Sequence, residues 1–462
     1  MTIASPIKTT VKAKAEKVFS SFYAVVASFA LATVLAVAVS PVAGIAVFAV
    51  VGTLVFIFCK DVKNVLSFLI YIPYFAKQEP TPAEYAVYLF VIALGFVDFF
   101  VFVFFGVKDK LARKTLKKGK MFLPLTVASA AFLLAGAFAN FRIVAFAVTL
   151  VLCISMIFAY WLAVNFTQNL NEHMLKTFVV GAFTVAFLMF AQNCVVGGSI
   201  KAIFVHDLAW CVTVGAQNIN VAALYMMLGV AGAFGLGMKK DKDWLYFLAA
   251  SVLAFSVFNT MCRGVIGLCC VAYAALVVVS FIKSPHRDNY ALAVLCLVAL
   301  AALVLLVDGD VFYDLFVKFK NKVSTGINGR KELWQWCFNK FTNHPVFGYG
   351  FVCDETVPTI TTYLGRIPAH NTLLQWLCST GVVGCLLLSY FYYHKYDLVI
   401  SNIKTQGLTL SIIIVLTELS GITDQAAAMD FFTFIIPLIC LAALEQIPSL
   451  KSENLLEVAP KK

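Results

Sequence analysis

The chain has 462 residues, of which 61% are apolar types and only 13% charged, and its mean hydropathy is +0.90. Soluble domains carry roughly 25% charged residues, so a water-facing enzyme, a disordered tail and a fibrous repeat are excluded, and continuous apolar runs exclude an alternating outer-membrane barrel. The formal charge of +11 comes without a strip of interleaved basic and aromatic residues, so it reads as anchoring of membrane helices and not as nucleic-acid binding.

The expected fold is therefore an all-α polytopic membrane protein. Apolar segments fall at 19–39, 42–59, 64–76, 84–106, 121–139, 143–165, 177–195, 219–238, 244–261, 264–282, 290–307, 372–393, 407–421 and 430–446. A span takes ~20 residues, and segments 64–76 and 407–421 are short, so the expectation is 12–14 transmembrane helices. The first segment follows a Lys-bearing stretch without a convincing cleavage site and reads as a retained helix. With the N-terminus in the cytoplasm and sides alternating through all segments, most Lys and Arg of the short connections fall inside. The run from Lys108 to Lys120 is the strongest anchor, and the Lys239–Lys242 turn agrees. Dropping one short segment breaks the alternation, so both count or neither does. The expected division is an N-terminal bundle at 1–307, a long extracytoplasmic loop at 308–371, C-terminal helices at 372–446 and a cytoplasmic tail at 447–462.

Loops as long as 308–371 tend to be functional, and this one carries helical spacing at Leu333, Cys337 and Phe341. Pro345 stops that helix, and Gly348 and Gly350 suit a tight turn. A shorter outer piece, 196–218, holds Lys201, His206 and Asp207. Most of the thirteen cysteines sit in apolar runs as small hydrophobes; no disulfide pattern and no C-x-x-C metal pair is present.

Arg263 lies between two apolar segments with almost no polar spacer. It reads either as a snorkelling anchor or as an anion-binding guanidinium, and the outer side favours the second. Arg330 opens the loop helix, where the dipole disfavours a cation and favours an external anion. His344 reads as a helix cap or as a site residue. His370, just before a span, is the side chain best suited to move a proton near neutral pH. Asp98, Glu418 and Asp424 are acids in or near apolar segments. Asp98 can pair within the bundle, and Glu418 and Asp424 approach the outer face. Asn218 and Asn220 read as helix caps with a second role in substrate binding.

The set Arg330 with Leu333-Trp334, His344-Pro345-x-Phe347-Gly348-x-Gly350, His370-Asn371 with Leu374-Gln375, and Gly381-Val-Val-Gly384 resembles the O-antigen ligase and polysaccharide polymerase superfamily. The Arg263-Gly264 turn and Gln217-Asn218-Ile-Asn220 are similar to weaker features upstream. The resemblance implies a GT-C-like, inverting, metal-independent membrane glycosyltransferase without a cofactor, in the bacterial cytoplasmic (inner) membrane. Its site faces outward and both termini lie inside. Its donor is an undecaprenyl-diphosphate-linked glycan, and its acceptor is lipid A-core or another lipid-linked glycan. The carried-over roles are His370 at the acceptor hydroxyl and Arg263 and Arg330 at the diphosphate. Arg366 shares or replaces the role of Arg330, and Asn371 and His344 also contact substrate. The competing readings are a multi-pass transporter or lipid-linked glycan flippase, and a structural partner in a polysaccharide assembly complex.

Overall fold

The computed structural model describes residues 6–75, 81–101, 116–138, 142–198, 219–238, 243–283, 287–307, 330–350, 371–423 and 431–447, and a few positions between 310 and 321. These residues form sixteen helices and no strand. In chain order they are α1 (Pro6–Phe19), α2 (Phe22–Ala38), α3 (Pro41–Phe58), α4 (Lys63–Phe75), α5 (Pro82–Val101), α6 (Phe122–Ala137), α7 (Arg142–Phe166), α8 (Leu170–Gly197), α9 (Ile219–Gly237), α10 (Asp243–Asn259), α11 (Arg263–Lys283), α12 (Arg287–Val307), α13 (Arg330–Asn343), α14 (Thr372–Asn402), α15 (Leu408–Thr423) and α16 (Phe431–Glu445). The protein is all-α and polytopic. Five described helices are long and apolar enough to cross a membrane, or six if the 63° bent pair Ala13–Phe19 and Phe22–Ala38 is one span. Shorter apolar helices occupy six more of the expected segments.

The chain divides into two compact units that interleave in sequence. One comprises residues 1–117, 165–260 and 279–311, and the other 118–164, 261–278 and 312–462.

In the first unit, α9 is enclosed all round: every residue from Ala222 to Gly237 is buried. A helix apolar on every face belongs at the centre of a bundle. Small residues let its neighbours approach. A Cβ on Gly229 would lie 2.1 Å from Ala182 Cβ and 3.1 Å from the Phe178 carbonyl of α8, so only glycine fits there. Helices α8 and α10 pack on either side of α9.

The start of α5 is a capping box. Thr81 N–H donates to Glu84 Oε2 (2.8 Å), Glu84 N–H donates to Thr81 Oγ1 (3.4 Å), and the Ser40 hydroxyl at the start of α3 donates to Glu84 as well. Further along, Thr53 Oγ1 of α3 donates to Asp98 Oδ2 of α5 at 3.0 Å. Asp98 is thus paired within the bundle, as its sequence position suggests. The two contacts fall in the same order along both helices, from their starts toward their ends, so α3 and α5 run in the same direction. The chain must return between them, and α4, with nearly every residue buried, is the returning helix. This gives segment 64–76 a physical role although thirteen residues rise only ~20 Å.

In the second unit, α6 packs along α14, and α15 and α16 pack on each other and on α14. The entry to α6 is held by Glu445 from the last turn of α16. Its carboxylate accepts from Lys120 N–H (2.8 Å), Met121 N–H (3.0 Å) and Tyr160 O–H (2.6 Å), so an anion satisfies amides at a helix start. Glu418 of α15 is engaged within this unit. It pairs with Lys395 Nζ of α14 at 2.8 Å and accepts from Tyr392 O–H at 2.7 Å. The Lys395 side chain is 1% exposed, and its ammonium lies 3.3 Å from the Tyr392 ring centroid. The sequence reading ends this span at 393, but α14 stays helical to Asn402, so Lys395 is a buried partner within a helix.

Candidate active site

Most of the motif residues belong to α13, the turn after it, and α14. Helix α13 ends at Asn343 as Pro345 requires, and His344 N–H still reaches the carbonyls of Lys340 (3.1 Å) and Phe341 (3.0 Å). The His344 carbonyl then accepts from Gly348 N–H at 3.0 Å. His344 thus ends the helix through its backbone, while its exposed ring lies 5.4 Å from that of Tyr349. Gly348 and Gly350 have φ of +78° and +90°, the left-handed backbone that glycine adopts without a Cβ penalty.

That turn docks into a break in α14. At Gly381 the backbone has φ 62° and ψ −166°, and the helix is interrupted. Val382 N–H would ordinarily bond to the Cys378 carbonyl, and Val383 N–H to that of Ser379. Instead Val382 N–H donates to the Pro345 carbonyl (2.9 Å) and Val383 N–H to that of Val346 (3.1 Å). The freed carbonyls of Cys378 and Ser379 accept from Tyr349 N–H (2.7 Å) and Gly350 N–H (3.1 Å). Four bonds to the turn replace two lost helix bonds, so the break buries no orphaned backbone group at these positions.

The break folds α14 back on itself. The rings of Trp376 and Tyr392 lie 5.1 Å apart, whereas an unbroken helix would separate these positions by ~24 Å. Residues 372–380 therefore form a short returning helix, and the long continuous part begins after Gly381. The sequence reading, which starts an unbroken span at 372, is corrected here. The signal was present as Ser379-Thr380-Gly381 inside an apolar run. Thr372 Oγ1 donates to the Gly421 carbonyl of α15 at 2.9 Å, so the mouth of the returning helix lies beside the last turns of α15.

Asn371 caps that helix. Its Oδ1 accepts from Leu374 N–H at 3.0 Å, and its carbonyl accepts from Gln375 N–H at 3.0 Å. The amide oxygen is thereby committed to the backbone. Arg263 and Arg330 also sit at helix starts, each as the first residue of its helix, α11 and α13. Arg263 is half-buried and follows Met261, whose φ of 55° makes a tight turn. A helix N-terminus carries the positive end of the dipole, which together with a guanidinium suits an anion. Arg330 is described only through its backbone. His370, Arg366, Asp424, Asn218, Lys201, His206 and Asp207 lie outside the described residues. Asn220 is the second residue of α9.

Three features of this region are absent from the motif reading. Lys340 Nζ lies 4.2 Å from the Tyr349 ring centroid and 5.3 Å from that of Trp336. Phe347 of the turn stacks on Phe138 at the end of α6, with centroids 5.7 Å apart. Cys337 and Cys378 are both buried and pack together between α13 and the returning helix, ringed by Trp336, Tyr349 and Leu374. Among the described residues no group of three or more His, Cys, Asp or Glu could hold a metal ion.

Compared with curated proteins, the chain matches none. Residues 247–389, which include Arg263, the turn and the broken helix, match the family model described as O-antigen ligase, and this match supports placing the chain in the O-antigen ligase and polysaccharide polymerase superfamily.

Proposed function

We propose that this protein transfers a glycan from undecaprenyl diphosphate to an acceptor sugar hydroxyl, as a repeat-unit polymerase or a ligase to lipid A-core, in building a bacterial surface polysaccharide. The site faces the outer side of the cytoplasmic membrane, and both termini lie inside. The observation that carries the reading is the pair of arginines, Arg263 and Arg330, each opening a helix in the same unit within the matched region.

The chemistry follows from those groups. The acceptor oxygen attacks C1 of the donor sugar from the face opposite the diphosphate, which inverts the configuration. The C1–O bond to phosphate breaks, and its electron pair leaves on the diphosphate. Arg263 and Arg330 stabilise that growing charge, with Arg366 as a further guanidinium in the same stretch of chain. Fixed donors of this kind contribute on the order of 10²–10³ each, and guanidinium grips phosphate oxygens in bidentate fashion. His370 takes the hydroxyl proton, a contribution of roughly 10²–10⁴. Asn371, whose oxygen caps the returning helix, keeps its Nδ2 donors for a sugar oxygen. His344 offers its exposed ring beside Tyr349 for the same purpose. The arginines supply the countercharge that a metal would otherwise provide, so transfer proceeds without one.

A broken helix and a buried ion pair are also features of transporters. In this protein the carbonyls freed at the break are taken by the turn, so they do not form an ion site. The test is transfer from a defined undecaprenyl-diphosphate glycan to lipid A-core and, separately, to lipid-linked repeat units, with and without chelator. Transfer is expected with chelator present and is lost in His370→Ala and in Arg263→Ala at unchanged membrane insertion. Full transfer by both variants refutes the assigned roles. Flipping by purified protein, unimpaired in both variants, would favour the transporter reading.

A further inference from the structure

We propose that Cys337 and Cys378 form a disulfide that fastens α13 to the returning helix of α14. The proposal rests on the outward orientation of this segment argued above, since disulfides persist in oxidising compartments and are rare in the cytosol. Both thiols are fully buried, and they form the centre of a small apolar cluster with Trp336, Tyr349 and Leu374. Both are free cysteines, and they are the two buried residues at the heart of that cluster. The backbone around them is already fixed, because Tyr349 N–H donates to the carbonyl of Cys378 itself at 2.7 Å.

The remaining cysteines described as buried, Cys59, Cys153, Cys262, Cys269 and Cys440, behave as small core hydrophobes. The pair at 337 and 378 differs because it lies at a joint between separate elements, each bearing part of the proposed site. Arg330 opens α13, and His370 directly precedes the N-cap of α14. A covalent link there fixes the two helices against each other, which is what positioning an anion group and a proton acceptor around one substrate requires.

The chemistry is thiol–disulfide exchange with a disulfide-bearing oxidant protein of the outer compartment. One thiolate attacks the oxidant's disulfide and forms a mixed disulfide. The second thiolate displaces the oxidant's sulfur. Two protein thiols and one oxidant disulfide become one protein disulfide and two oxidant thiols, which take up the two protons released. The exchange happens as the segments meet during folding, and burial afterwards shields the bond from reductants.

The experiment is differential alkylation of the full-length protein in its native membranes. Cells are quenched in acid, free thiols are blocked with N-ethylmaleimide in denaturant, and the sample is reduced and treated with iodoacetamide before peptide mass spectrometry. The expected result is that Cys337 and Cys378 carry the second label while Cys153 and Cys440 carry the first. In Cys337→Ser, Cys378 should move to the first label. The melting temperature of the wild type should fall by on the order of 5 °C on reduction, whereas that of Cys337→Ala/Cys378→Ala should not respond to reductant. First label on both cysteines in the wild type overturns the proposal, as does a link from either one to Cys353. A bond that forms only after an oxidant is added to isolated membranes also overturns it. None of these readouts depends on glycan transfer, so failure here is distinct from activity surviving in His370→Ala.

Discussion

Gly381→Ala tests the joint on which the site is built. At this residue ψ is −166° with φ 62°, a region open in practice to glycine, so a side chain there costs about 1–3 kcal/mol in strain. Space adds to the cost. A Cβ would lie 2.5 Å from Gly348 N and Val346 O, which are backbone atoms that cannot rotate away. The turn would have to lift off, and the four hydrogen bonds across the break are worth about 1 kcal/mol each. The expected loss is therefore about 5–7 kcal/mol, enough to unseat the turn and the returning helix together. The assay is the melting temperature in detergent alongside glycan transfer. Gly267→Ala on α11 serves as the control, since nothing lies within 4 Å of its added Cβ and alanine is the better helix former. Gly381→Ala should melt far below the wild type and lose transfer, while the control should match or slightly exceed it. Wild-type stability and activity in Gly381→Ala would mean that α14 is continuous and the docking geometry is wrong.

Breaking the buried pair by Glu418→Gln or Lys395→Met should cost about 3–5 kcal/mol, because each single change strands one buried group, and the double variant should recover most of that loss. A double-mutant cycle on unfolding in detergent measures this, and additive losses would refute the pairing. Asn371→Ser separates capping from substrate contact, since serine caps as well as asparagine but lacks the amide donors. Unchanged melting with reduced transfer is expected, and full transfer would limit Asn371 to its cap.

Much of the site's local chemistry is legible in the residues themselves. The helix at 330–343, its stop before Pro345 and the glycine turn follow from local rules, because each depends on the backbone freedom of a few consecutive residues. Asp98 is likewise readable as a paired intramembrane acid, although nothing in its neighbourhood names Thr53. Glu418 shows the limit of such reading. Its place near the end of a segment suggests only that it approaches the outer face, and its engagement with Lys395 and Tyr392 is visible only once α14 and α15 are packed together.

By itself the sequence determined the all-α membrane class, because a chain with so few charges must satisfy its backbone within its own helices. It also determined the apolar centres of the helices and where the turn after α13 lies, but not the helix at Pro6–Phe19 or the start of α8 at Leu170, seven residues before its apolar segment. Only the tertiary structure decided that α4 returns the chain so that α3 and α5 run in the same direction, that α14 folds back at Gly381, and that Cys337 meets Cys378. The physical reason is common to all three. In a chain this apolar, a face that meets lipid and a face that meets another helix have the same composition, so periodicity marks the helices without naming their partners. Partners are chosen by close approach at small residues and by hydrogen bonds between backbone groups distant in sequence, and those exist only after folding.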